Sequence, residues 1–94
     1  MIFFETIYII QPSFSQEKMI KLIIKYKNIL EYNKATNIFI EYKGKRHLSY
    51  PIKKINEGVY IQMNYLSDVY TMKSLTKKLS EDIHVLRYLT LTKK

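Results

Sequence analysis

The 94-residue sequence has no cysteine, no tryptophan, two glycines, two prolines and a single alanine, Ala35. Without cysteine there is no disulfide framework, no thiolate nucleophile and no Cys-based zinc or iron-sulfur site, a pattern compatible with a reducing compartment. So few glycines and prolines exclude collagen-like and flexible-linker chains. No apolar run approaches the roughly 20 residues that span a bilayer, and Met1-Ile2-Phe3-Phe4-Glu5 lacks the basic start of a signal peptide. The protein is therefore expected to be soluble and complete as written. Acidic residues are also scarce: eight Asp and Glu face sixteen Lys and Arg, for a formal charge of +8, so polyanions are the first partners to consider. What the chain does have is 47% apolar residues, enough for one domain over 1–94 with one shared core.

Phe3 to Ile10, nearly all aromatic or β-branched and followed by Gln11-Pro12, reads as a central strand ended by proline. Ser15 then suits a helix N-cap, with Glu17 in the first turn, and Met19, Leu22, Ile23, Tyr26 and Leu30 recur at helical spacing on one face. Asn37 to Tyr50 reads as one long strand with an irregularity near Gly44, its ladder stopping at Pro51. Lys54 to Gly58 reads as the turn of a hairpin whose second strand runs from Val59 to Leu66. Ser67 is the expected cap of a second helix with Met72, Leu75 and Leu79 buried, Ile83 is expected to close the core below it, and Val85 to Leu91 forms a last strand. The order β-α-β-β-α-β in so short a chain predicts an α+β fold, the ferredoxin-like split β-α-β: a four-stranded antiparallel sheet with two helices on one face. The other face is the default functional surface, although that framework hosts many unrelated functions.

The eight acids form no recognisable general acid-base pair. His47 and His84 lack neighbouring metal ligands and read as solvated or edge-packed imidazoles. There is no Gly-rich phosphate loop and no Gly-Lys-Ser or Gly-Lys-Thr triplet. The expectation is no enzyme, no metal, no cofactor, no small-molecule substrate and no membrane association. The informative segment is Lys43 to Lys54, with five Lys or Arg, no acid and one tyrosine. Lysines there suit phosphate oxygens as mobile point charges, and Arg46 can engage a phosphate through its planar fork or lie against a base. A solubilising basic hairpin is the bland alternative. Tyr8, Tyr60 and Tyr88 are candidates for the free sheet face, where protein contact is favoured over base stacking because no RNP1 pattern accompanies them.

The central motif and the element order together resemble the bacterial-type small-subunit ribosomal protein S6 family. Three stretches carry the resemblance: Tyr8-Ile9-Ile10-Gln11-Pro12 with Ser15-Gln16-Glu17; Gly44-Lys45-Arg46-His47-Leu48-Ser49-Tyr50-Pro51-Ile52-Lys53-Lys54 with Gly58-Val59-Tyr60; and Ile83-His84-Val85-Leu86-Arg87-Tyr88. The middle stretch is the specific one. The resemblance implies a structural protein that binds the central domain of small-subunit rRNA with ribosomal protein S18 and helps assemble the platform. Arg46 matches a basic residue of the family's Arg-Arg-Leu-Ala-Tyr-Pro-Ile motif, followed in register by Leu48, Tyr50, Pro51 and Ile52. His47 stands where the second Arg is usual, so a permanent phosphate fork is replaced by an imidazole, and Ser49 replaces Ala. Arg87 matches a basic position near the start of the last strand.

Lys43, Lys45, Arg46, His47, Lys53, Lys54 and Arg87 are accordingly expected at rRNA, and Tyr8, Tyr60 and Tyr88 at a protein partner. Affinity would depend on a combined surface, with the isolated chain binding weakly. Tyr50 fits either core packing or an exposed contact. A protein-only interaction module of the same fold is the alternative function, and a phosphate-handling enzyme using Arg46 or Arg87 as a clamp is a third. The wealth of Ile and Lys suits an AT-rich coding genome, so a plastid stroma is favoured as the location, with a bacterial cytoplasm as the alternative.

Overall fold

The computed structural model describes residues 1–52 and 55–93, with only the backbone at 49–52. The elements are β1 (Ile2–Ile10), α1 (Gln16–Tyr32), β2 (Thr36–Ile52), β3 (Ile55–Ser67), α2 (Val69–Glu81) and β4 (Val85–Thr92). The strands form one antiparallel sheet in the order β2-β3-β1-β4, so β1 lies inside it, as its apolarity implies. This is the expected ferredoxin-like arrangement.

Alternation divides each strand between two faces. Phe4, Thr6, Tyr8 and Ile10 of β1 and Val59, Ile61, Met63, Tyr65 and Ser67 of β3 are buried on the side covered by the helices. Met19, Leu22, Tyr26 and Leu30 of α1 and Leu75 and Leu79 of α2 complete that core, and Ile23 and Met72 pack at its margin. Tyr8 meets Tyr26 edge-on with centroids 5.5 Å apart, a favourable aromatic geometry. The Thr6 hydroxyl is 2.8 Å from the Tyr65 hydroxyl and 2.9 Å from that of Thr90, so two polar groups inside the core satisfy one another.

Ser15 caps α1 as expected, its hydroxyl accepting from the Lys18 N–H. The cap of α2 lies one residue beyond the expected one. Asp68 has the extended cap conformation and accepts from the Thr71 N–H at 2.8 Å, whereas Ser67 is the buried last residue of β3. A carboxylate accepts that bond more strongly than a hydroxyl, so Asp68 takes the position. Ile83 does not close the core. It is 79% exposed at a corner fastened by the Val85 N–H to the Asp82 carbonyl, and Val85 packs against the core instead.

The hairpin is also tighter than expected. Residues from Ile55 to Gly58 belong to β3, with Gly58 opposite Arg46 and Glu57 opposite His47. The regular ladder ends at that last pair, but β2 continues through Pro51, and Ile52 pairs with Ile55. Lys53 and Lys54 lie outside the described residues, as does the side chain of Tyr50. No helix among the described residues is long and apolar enough to cross a membrane.

Candidate nucleic-acid and partner interface

The face of the sheet away from the helices carries Phe3, Glu5, Ile7 and Ile9 from β1 and Tyr60, Gln62 and Asn64 from β3. On β4, Arg87, Leu89 and Leu91 stand opposite Ile9, Ile7 and Glu5 and share that face. What β2 contributes is decided at Gly44. Tyr42 pairs with Ile61 but Gly44 pairs with Tyr60, so one residue is inserted at a bulge, and Gly44 takes a φ of +92°, in the left-handed region that favours glycine. A one-residue insertion inverts the alternation. Beyond it Lys45 stands opposite core residue Val59, and Arg46 swings to the open face, its guanidinium carbon 6.0 Å from the centre of the Tyr60 ring.

The register thus forms a row across the sheet: Arg87, Ile9, Tyr60, Gly44, with Arg46 diagonal to Tyr60. Ile7, Ile9, Tyr60, Arg87, Tyr88 and Leu89 line a shallow concavity of about 240 Å³. Ile9 is 6% exposed even on this open face because Gly58 leaves room for it. A Cβ there would collide with Ile9 Cγ2 and touch Leu48. The surface has an apolar floor with a guanidinium on either side of a tyrosine ring. Such a floor suits a flat or apolar group, and the cations suit phosphate or carboxylate.

Lys45 is exposed level with the last residue of β1, Arg46 and His47 are exposed where β2 and β3 extend past it, and Lys43 is ion-paired with Glu41 at the bulge. Arg87 is exposed on the same open face as Arg46. The structure therefore brings Arg46, Tyr60 and Arg87 together and sets Lys45 and His47 beside them. Tyr8 is a correction. It is completely buried against Tyr26 on the helix side and is no part of a partner surface, because β1 is phased with Phe4, Thr6 and Ile10 inward. A run apolar on both faces does not reveal its phase. Tyr88 is the register partner of Tyr8 and shares its side of the sheet, yet on an edge strand it is 40% exposed and borders the concavity. Ile7, Ile9, Leu48, Gly58 and Leu89 were not among the expected site residues; the alternation of Arg87, Leu89 and Leu91 was the available signal for the last of them.

His47 is solvent-exposed, and His84 is packed at an edge, its Nδ1 3.1 Å from Gln11 Nε2 and its ring 4.3 Å from that of Phe14. Among the described residues no three of His, Cys, Asp or Glu cluster in a metal-binding arrangement. Burial pushes the Tyr8 phenol well above its usual pKa; burial, the hydrogen bond to Asp82 and that carboxylate's charge do the same for Tyr26. Both tyrosines are core groups rather than acids or bases for chemistry.

A family model described as ribosomal protein S6 matches residues 3–92. The small ribosomal subunit protein bS6c of Pyropia yezoensis is 38% identical over 87 residues, covering 93% of this chain and 80% of that protein. The bS6 protein of the cyanobacterium Picosynechococcus sp. is likewise 38% identical, over 88 residues, 94% of this chain and 76% of that one. Relatives of the plastid type and of the bacterial type thus stand equally near, in keeping with either a plastid or a bacterial cytoplasm. The crystal structure of 30S ribosomal protein S6 from Thermotoga maritima superposes with a TM-score of 0.91 at 28% identity, over 98% of this chain and 87% of that one.

Proposed function

The chain belongs to the ribosomal protein S6 family, non-catalytic rRNA-binding proteins of the small subunit that work with S18, and on that premise we propose how this molecule divides its surface between the two partners. The cationic end of the β2–β3 ribbon meets rRNA phosphates of the central domain through Lys43, Lys45, Arg46, His47, Lys53 and Lys54, joined by Arg87 of β4 on the open face. The apolar and aromatic part of the open face, with Tyr60, meets S18, together with Tyr88 at the exposed β4 edge. Together the two proteins present one RNA-binding surface for assembly of the platform.

The observation that carries this reading is the bulge at Gly44, which turns Arg46 onto the open face beside Tyr60, in the row that ends at Arg87. Cations and apolar floor thereby meet at one place, where an RNA backbone and a protein surface can both be engaged. Phosphate contacts release counterions, so the affinity must fall steeply with salt.

The test is binding of the purified chain to a central-domain rRNA fragment, with and without S18, across a salt series. Tight, salt-sensitive binding that requires S18 supports the shared surface. Equally tight binding by the chain alone overturns the cooperative part. Folded protein that binds in neither arm overturns the assignment of the ribbon to RNA.

A further inference from the structure

The two free edges of the sheet differ in kind. On β2, regular pairing is broken at Thr36–Phe39, where Asn37 has a φ of +53°, and again at Gly44. The same strand carries Lys43, Lys45, Arg46 and His47. Irregularity and charge are the devices that prevent an edge strand from pairing with another chain. On β4 the register slips only at its beginning, between Ile9 and Ile10 of the partner strand, and from Arg87 to Thr92 the ladder is regular. That strand, Val85-Leu86-Arg87-Tyr88-Leu89-Thr90-Leu91-Thr92, carries a single charged side chain, Arg87. Leu89 and Leu91 are 54% and 46% exposed, and Tyr88 is 40% exposed on the opposite side.

An apolar, regular edge with its outer backbone groups unpaired is a template for an added strand. We propose that S18 adds an extended segment along the free edge of β4, from Arg87 to Thr92, extending the four-stranded sheet by one strand. The occupant follows from charge and continuity. Beyond Arg87 at its start the strand offers a polyanion no cation, whereas the basic ribbon lies on the other edge. Arg87, Tyr88 and Leu89 also line the open-face concavity, so a chain paired along β4 runs directly into the surface assigned to S18. The inference rests on that assignment and adds the mode of contact: backbone pairing supplies the attachment, with Leu89 and Leu91 receiving side chains of the partner on the open face.

Amide hydrogen exchange of the full chain, free and bound to S18, reads the backbone pairing. Binding should slow by about tenfold or more the alternate amides between Arg87 and Thr92 that point away from β1, while β2 amides stay unchanged. The double variant Leu89→Lys, Leu91→Lys, at two exposed positions, should lower S18 affinity by about thirtyfold, the scale of an interface hot spot, with an unchanged thermal midpoint. If S18 binds but the β4 amides exchange as before and the double variant binds normally, strand addition is overturned, and the division of surfaces still stands. Slowed exchange that scales with the chain's own concentration, without S18, overturns it in favour of a second copy. A folded wild-type chain that fails to bind S18 removes the premise and the inference together.

Discussion

Arg46 shows how much a single inserted residue decides. Its membership of the basic segment is plain from the sequence, but its direction is not, because without the bulge at Gly44 it would sit on the helix side of the sheet. Replacing Arg46 with Ala removes a side chain from an exposed position. The thermal midpoint should hardly move, while the salt dependence of rRNA binding in the S18 complex, plotted as log affinity against log salt, loses about one unit of slope for one phosphate contact. His47→Arg should act in the opposite sense and steepen that slope, since a permanent guanidinium replaces an imidazole. Gly58 carries a prediction about folding instead. An alanine Cβ would overlap Ile9 Cγ2 with the backbone on both strands held by the ladder, so Gly58→Ala should cost about 1–3 kcal/mol in a urea melt. Nothing in the local sequence distinguishes this glycine from a turn residue. The requirement comes from β1, distant in sequence.

At the scale of elements, periodicity was a dependable guide wherever one face is buried and the other wet. The stripe of α1 and the cap at Ser15 were legible for that reason. Legibility failed where two adjacent residues offered the same chemistry, as with Ser67 and Asp68, and where the strand was apolar on both faces, as with Tyr8. The cap at Asp68 has a consequence for pH. Hydrogen bonds from Thr71, chiefly its backbone N–H, hold the Asp68 carboxyl below its usual pKa. A carboxyl that is more acidic when folded adds stability above its unfolded pKa and forfeits it as pH falls through the folded value. Asp68→Asn should therefore melt with less sensitivity to acid than the parent, by circular dichroism from neutral pH downward, because an uncharged cap keeps the bond at every pH.

For the molecule as a whole, the tyrosines report on the integrity of the core. Tyr8, Tyr26 and Tyr65 all have raised pKa values, in each case first through burial, and the Thr6 hydrogen bond partly offsets this at Tyr65. For groups whose pKa is higher when folded, the stability they add is intact below the unfolded pKa, about 10, and is lost above it as the unfolded chain ionises. In an alkaline titration these three should ionise only as the circular dichroism collapses. Phenolate absorbance from all of them before the fold is lost would contradict the packed core. The topology was legible in full because each element had its own period, whereas the meeting of Arg46, Tyr60 and Arg87 was not, since it depends on three strand registers at once. The ribbon has one more implication. The last residue of β1 is opposite Val59, so everything from Arg46 to Ile52 and from Ile55 to Gly58 projects past the central strand. Within that stretch Gly58 lies against Ile9 and Leu48. Under the proposed division of surfaces this projection is an outrigger, so substitutions in it would retune the grip on RNA while the body of the protein stays as it is.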